Sequence, residues 1–441
     1  MPSAQNHIPR KLAVLPLAAV IFMTVSGGPY GLEPLMAYAG AHGALIFLLL
    51  TPLVWDLPTI LTVLELNSMM PVNGGYYQWV KGALGLRWAF YEGWWTWLYT
   101  FADLAIYPVL FVQYGSFFFP QLEAWKIPVC LLIIWGSALL NILGIVPVGR
   151  TSLVLGTAVL LPFFLMFALI WHHHAGSIHI PYPSLKGISG PSAGLALFTV
   201  MWNYIGWDNA TTYCGEVQRP VKAYLKSILM AFGAIFIIYF LAVFTAQQAG
   251  PSFGTLQQQG FPALGRWVGG EWLGMVLAVG GMASTLGIFS AVLLSVSRVP
   301  EVMAEDRLMP AILGQKHPVS EAPWVSIIAC AGVVSLMVFW SFSSLIIIDV
   351  SLYGAGLFLE FISLIVLRFR SPGIARPFRI PLGKTGLMAL VGLPVLVFGF
   401  ALVSILGESG HALLPVSFTF CALISAEPIW QLIRLARKRP A

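Results

Sequence analysis

The chain has 441 residues, of which 58% are hydrophobic and 9% charged, and a formal net charge of +6. Soluble domains carry roughly a quarter charged residues, and 17 acidic plus 23 basic side chains are too few to cover the core that this much apolar sequence would form. A water-soluble globular protein is excluded, and basic residues dispersed in short clusters between apolar runs exclude a nucleic-acid-binding stripe.

A membrane-spanning helix needs about 20 mostly apolar residues. Twelve such segments are expected, near 12–39, 43–69, 88–118, 127–146, 151–171, 192–215, 226–247, 272–298, 323–341, 344–367, 386–406 and 412–433. No A-x-A-like cleavage site follows the N-terminus, so the first segment is expected to be retained. With the N-terminus inside, Lys126, Lys186 and Arg266 fall outside and the other 20 of the 23 basic residues fall in inside segments. Lys and Arg gather in cytoplasmic loops, and omitting one helix would reverse every later loop. The expectation is an all-α, multi-pass protein of the cell membrane, one transmembrane domain over 1–441, with both termini cytoplasmic and a basic tail at 434–441.

Two segments are interrupted. The first reads Ser26-Gly-Gly-Pro-Tyr-Gly31 at its middle, and the sixth carries Asn203-Tyr-Ile-Gly-Trp-Asp208. Freed backbone groups at membrane depth are tolerated only where they are buried in protein or line a cavity. Breaks at matching places in two halves, helices 1–5 (about 12–171) and helices 6–10 (about 192–367), point to an inverted-repeat transporter with its site at the midplane.

Ionisable groups inside a membrane are costly and usually face the bundle interior. Glu33 and Asp208 follow the two breaks, and Asp103 lies mid-span one turn before Tyr107. Together they would make an anionic well needing a cation or a proton. Tyr30, Tyr107, Trp202, Tyr204 and Trp207 interleave with these acids and suit cation–π contact with an ammonium. Trp125, Trp171, Trp272 and Trp324 read instead as an interfacial belt. Glu65 and Glu92 sit near span ends, and Glu360 lies two turns from Arg368, which assigns all three to solvation or local pairing; Asp56 and Asp349 are further intramembrane acids.

His172, His173, His174 and His179 have no acidic or Cys partner close in sequence, and Cys130, Cys214, Cys330 and Cys421 show no metal or redox spacing. No phosphate-binding Gly-rich loop with Lys-Ser/Thr occurs, so nothing couples the chain to nucleotide hydrolysis, and no nucleophile–base spacing indicates an enzyme. No metal, cofactor, nucleic acid or obligate protein partner is expected; the partners are membrane lipid and a small solute.

The motifs resemble the amino acid–polyamine–organocation (APC) transporters, in particular the branch of polyamine:proton symporters. The likeness is carried by Ser26-Gly-Gly-Pro-Tyr-Gly-Leu-Glu33, by Glu65-Leu-Asn-Ser-Met-Met-Pro-Val-Asn-Gly-Gly-Tyr76, and by Glu92-Gly-Trp through Asp103 to Tyr107-Pro-Val-Leu-Phe111. It continues with Trp202-Asn through Trp207-Asp208 to Gly215-Glu-Val217, and with Leu359-Glu-Phe361, Leu367-Arg368 and Arg376-Pro-Phe-Arg-Ile-Pro381. The resemblance implies a LeuT-type five-plus-five fold with broken helices 1 and 6 and two extra helices. It also implies cation-coupled transport of a polyamine or an amino acid. Gly27 and Gly28 would form the unwound segment that meets the solute, and Glu33, Asp103 and Asp208 match acidic positions of the branch. The chain departs after Trp55, where Asp56-Leu-Pro-Thr59 replaces the branch's Ser-Val-Pro-Glu pattern, and no Lys occurs between Arg150 and Trp171 to stand in for sodium. Coupling then falls to a proton on Glu33, Asp103 or Asp208, or to sodium held with Ser284 and Thr285. Exchange of amino acids on the same fold and, from another class, a passive channel are the alternatives.

Overall fold

The computed structural model describes residues 11–174, 184–248, 252–339, 342–406 and 413–438; Arg10, His179 and Arg439 lie outside them. The described chain is helical, with one isolated parallel bridge between Leu12 and Val217. In order the helices are α1 Val14–Val25, α2 Glu33–Thr51, α3 Leu57–Met69, α4 Gly75–Leu84, α5 Leu86–Gly115, α6 Lys126–Ile142, α7 Ile145–His174, α8 Gly190–Trp202 and α9 Pro220–Gln248. They continue as α10 Phe253–Gln259, α11 Phe261–Gly269, α12 Glu271–Val296, α13 Arg298–Glu305, α14 Trp324–Met337, α15 Phe342–Arg370, α16 Lys384–Leu406 and α17 Leu413–Lys438. Nine segments among the described residues are long and apolar enough to cross a membrane, and Val14–Val25 and Trp324–Met337 are shorter apolar helices.

The first break occupies Ser26–Leu32. Gly27 adopts φ +59°, and a Cβ there would lie 2.3 Å from the Ile288 side chain and 2.9 Å from Ser284 Oγ, so both the backbone conformation and the close approach of α12 require glycine. Within α2, Gly40 (φ 63°, ψ 178°) kinks the chain and separates the short helix Glu33–Ala39 from the long run after it, the position where the sequence places a boundary between two spans. A π-helical turn at Pro52–Asp56 joins α2 to α3. The second break occupies Asn203–Asp208 and continues as a 3₁₀ segment, Asn209–Glu216.

α5 packs against α12 and α15, while α1 packs against α7, α9 and α12, which puts both breaks inside the bundle. α16 and α17 lie at the periphery and turn Leu396, Val403, Phe420 and Leu432 outward, as helix faces in contact with lipid do. Four ion pairs lie at one end of the bundle: Lys81–Asp306, Arg298–Glu216, Lys316–Glu301 and Arg368–Glu65. This is the basic end below. At the other end α10 and α11, in the stretch between the expected spans 226–247 and 272–298, fold back over α2 and α12.

Candidate functional site

A cavity of about 350 Å³ lies at the end away from those four ion pairs, lined by Gly31, Glu33, Tyr114, Thr199, Gly260 and Ile346 among others. Glu33 forms part of its wall and is heavily hydrogen-bonded. Its carboxylate accepts the Gly31 amide at 2.6 Å, the Tyr114 hydroxyl at 3.2 Å and the Phe261 amide at 3.3 Å. It thus ties the first break to α5 and α11. Tyr30 donates to the Leu277 carbonyl at 2.6 Å and packs edge-on against Tyr114, Phe163 and Phe261.

Within about two turns further toward the basic end on the cavity-lining helices come Trp202 of α8, Asp103 of α5 and Asp349 of α15. The rings of Tyr107 and Trp202 stack with centroids 6.4 Å apart. Tyr107 donates to Asp103 Oδ1 at 2.5 Å. Asp103 faces Asp349, with Trp202 beside both. Both Asp349 oxygens are buried without a protein hydrogen bond of ordinary geometry among the described residues. The sequence had named Asp349 only among the intramembrane acids; nothing local marks it, because its neighbour Asp103 lies far away in the chain.

Below this pair, Tyr99 and Tyr353 meet edge-on at 5.6 Å. Tyr353 donates to Asp208 Oδ1 at 2.8 Å and accepts the Gly206 amide at 3.2 Å, while Tyr99 donates to Asn209 Oδ1 at 3.1 Å. The carboxyls of Glu92 and Glu360 stand with Asp208. Pairing of Glu360 with Arg368, expected from their spacing, does not occur. Arg368 forms a double hydrogen bond with Glu65 instead, and Glu65 also takes the Ile380 amide at 2.8 Å. Glu92, 1% exposed, is not solvated either.

Glu33, Asp103 and Asp208 therefore occupy successive depths, and of the three Glu33 alone lines the cavity. Tyr204 and Trp207 belong to another face. Trp207 donates to Asp56 Oδ1 at 3.3 Å, and Tyr204 packs on Tyr239. The freed backbone of the breaks is largely spent within the protein. Gly27 N–H bonds Phe22 O at 2.9 Å, Gly28 N–H bonds Ser26 Oγ at 3.0 Å, and Asn203 Nδ2 reaches the Gly31 carbonyl at 3.3 Å. Ser284 Oγ is buried opposite Gly27 without a hydrogen bond of ordinary geometry, and Thr285 spends its hydroxyl on the Met282 carbonyl at 2.9 Å.

None of Asp103, Asp349, Asp208, Glu92 and Glu360 takes part in an ion pair among the described residues. Apolar spans enclosing two helix breaks and a path of aromatic rings and unpaired acids define a multi-pass membrane transporter. The amino acid permease profile matches residues 12–426, and the chain belongs to that family, within the APC superfamily. It is 33% identical to "Polyamine transporter RMV1" of Arabidopsis thaliana over 88% of this chain and 80% of that protein. It is likewise 33% identical to "Polyamine transporter PUT1" of Oryza sativa subsp. japonica over 91% and 75%. To "Serine/threonine exchanger SteT" of Bacillus subtilis it is 24% identical over 87% and 89%. The superfamily resemblance read from the motifs holds, and these relatives are transporters, not enzymes.

Proposed function

We propose that the protein is a secondary active carrier for a polyamine, coupled to a cation, and that it works by alternating access with the solute held at the breaks of helices 1 and 6. The reading takes the chain as twelve spans in a LeuT-type five-plus-five arrangement plus two helices, with the basic end cytoplasmic. One observation carries it: Asp103 and Asp349 are buried side by side next to Trp202, with no ion pair to a cation of the protein's own among the described residues. Two like charges at such a place need a counter-cation or protons. An ammonium supplies hydrogen-bond donors for orphaned carboxylate oxygens and a charge for the faces of Trp202 and Tyr107.

The spent amides of Gly27 and Gly28 support an amine over an amino acid. A substrate carboxylate would need free donors there, and both are already bonded within the protein. The names of the two plant relatives agree with this choice, while the bacterial exchanger keeps amino-acid exchange as the competing reading. Uptake of labelled putrescine and spermidine into proteoliposomes, with unlabelled amino acids as competitors, tests it. Saturable accumulation against a gradient, displaced by amines and not by serine or threonine, is the expected result. Serine–threonine exchange without amine uptake would replace the polyamine reading, and non-saturating flux would indicate a channel.

A further inference from the structure

The two central helices carry the same spacing of acids. On α5, Glu92 and Asp103 are eleven residues apart; on α15, Asp349 and Glu360 are eleven residues apart. Eleven residues make close to three turns of an α-helix, so each pair lies on one face, separated by roughly 16 Å of rise. α5 starts and α15 ends at the basic end, so the helices run in opposite directions. Asp103 therefore meets Asp349, and Glu92 meets Glu360. The close packing at the lower level is visible at Gly356, one turn before Glu360, where an added Cβ would come within 2.9 Å of Glu92 Oε1. The second break adds Asp208 to this level.

Three features make the lower level more than a group of acids. Both oxygens of Glu360 and Oε2 of Glu92 are buried without a hydrogen bond of ordinary geometry. The Tyr76 side chain is fully buried, and its hydroxyl faces Asp208, Glu92 and Glu360 with Thr96 beside it, yet also makes no such bond. Finally, no Lys or Arg pairs with any of the three acids among the described residues, since the nearby Arg368 is engaged by Glu65. Four unpartnered oxygens in one buried group, beside an Asp208 that already accepts from Tyr353, match the three donors and single charge of an alkylammonium.

We propose that Glu92, Glu360 and Asp208, with the Tyr76 hydroxyl, form a second ammonium site. A linear polyamine would then be bound lengthwise, one ammonium at Asp103–Asp349 and another at this lower level, with its methylene chain running past the touching rings of Tyr99 and Tyr353. The proposal rests on the amine reading above and specifies the length of the solute. Side chains lean toward the N-terminus of their own helix, which brings Asp103 and Glu360 into the interval and carries Asp349 and Glu92 out of it, so the two levels stay roughly 16 Å apart. An extended chain advances roughly 1.25 Å per bond, and a charge-assisted hydrogen bond adds roughly 2.8 Å of reach at each end. Five bonds between nitrogens, as in 1,4-diaminobutane, are too short to reach both levels, and nine bonds, as in 1,8-diaminooctane or spermidine, are sufficient.

Calorimetric titration of the purified full chain with 1,4-diaminobutane, 1,8-diaminooctane and 1-aminooctane tests this. The expected result is that 1,8-diaminooctane binds about tenfold or more tightly than either of the other two, and that this ratio falls toward one in Glu92→Gln/Glu360→Gln. In Tyr76→Phe, which removes only the hydroxyl, the ratio should fall part of the way. If 1,8-diaminooctane and 1-aminooctane bind the unmodified protein equally, the lower acids hold protons only and the second site is wrong, whatever the variants do. A ratio unchanged in the double variant also overturns it. Failure of every amine to bind would remove the polyamine reading itself, a different outcome from amine binding that ignores length.

Discussion

Arg298, at the start of α13 and 3% exposed, donates from Nε to Glu216 Oε1 at 2.7 Å and from Nη2 to Oε2 at 3.1 Å. Glu216 closes the segment that follows the second break, and its backbone carbonyl accepts the Leu12 amide at 2.9 Å just before α1. One residue thus joins the entry to the first broken helix, the exit of the second and the end of α12. Arg298 is buried but Glu216 is 32% exposed, so removing the carboxylate strands a partly hydrated charge and costs less than the roughly 3–5 kcal/mol of a fully buried pair. In Glu216→Gln the ion-paired basic end should lose part of that stabilisation, and the population should move toward a form more open at that end. Cys214, buried beside the pair, is a native reporter, and the one exposed cysteine, Cys421, can be removed as Cys421→Ser. Maleimide labelling of Cys214 should accelerate several-fold in Glu216→Gln; an unchanged rate would show that the pair is not a gate.

Asp103 should act through its charge. Replacement by Asn keeps the shape and an acceptor for Tyr107 but removes the attraction to an ammonium. At an intermediate dielectric that attraction is worth a few kcal/mol, or on the order of a hundredfold in affinity. Asp103→Asn is expected to weaken putrescine binding by that order without a large change in melting temperature. A stable variant that binds putrescine normally removes Asp103 from the site.

Glu33 makes a different expectation. Its three donors come from the first break, from α5 and from α11, so the carboxylate acts as a brace at the mouth of the cavity. Hydrogen bonds to a charged group contribute about 1.5–3 kcal/mol each. Glu33→Ala should therefore lower the melting temperature by several degrees, and its loss of stability should exceed that of Asp103→Asn. If Glu33→Ala melts normally and loses only affinity, Glu33 belongs to the solute rather than to the brace.

The breaks could be read from sequence because Gly, Pro and polar residues in an apolar run leave a local signal. Gly27 and Gly206 sit inside those breaks with φ of +59° and +98°. Partnerships across the bundle left no such signal. Glu360 has Arg368 eight residues away, yet that arginine reaches Glu65, 303 positions distant, and Glu360 meets Glu92 and Asp208 instead. Asp349 likewise acquires meaning only when α15 is laid against α5. The repeat of eleven residues on both helices was present in the sequence, but only the antiparallel packing gives it significance.

Orientation is open to direct measurement. The basic clusters predict that Lys316 lies on the cytoplasmic side and Lys186 on the outer side. Cysteines placed at these positions should differ in intact cells: an impermeant maleimide should reach Lys186→Cys, and should reach Lys316→Cys only after permeabilisation. Labelling of Lys316→Cys in sealed cells would invert the proposed topology.

The coupling ion follows from which orphaned groups need a cation between substrate turnovers. Two places compete. Ser284 Oγ faces the first break without a hydrogen bond of ordinary geometry, which suits sodium held by hydroxyl and carbonyl oxygens, a hard cation's ligands. The acids around Asp208 are closer in kind to a proton site, because Asp208, Glu92 and Glu360 share one buried space and cannot all remain charged without a cation. When the solute leaves, protons are the replacement available on either side of the membrane, and arrival of an ammonium would favour their release, linking the two occupancies. Proteoliposomes acidified outside and free of sodium should therefore accumulate putrescine, and a sodium gradient without a pH gradient should not drive it. Asp208→Asn should retain counterflow of solute while losing accumulation driven by the pH gradient; Ser284→Ala should retain both. Uptake that ignores the pH gradient, requires sodium and is lost in Ser284→Ala would transfer the coupling to the first break and α12.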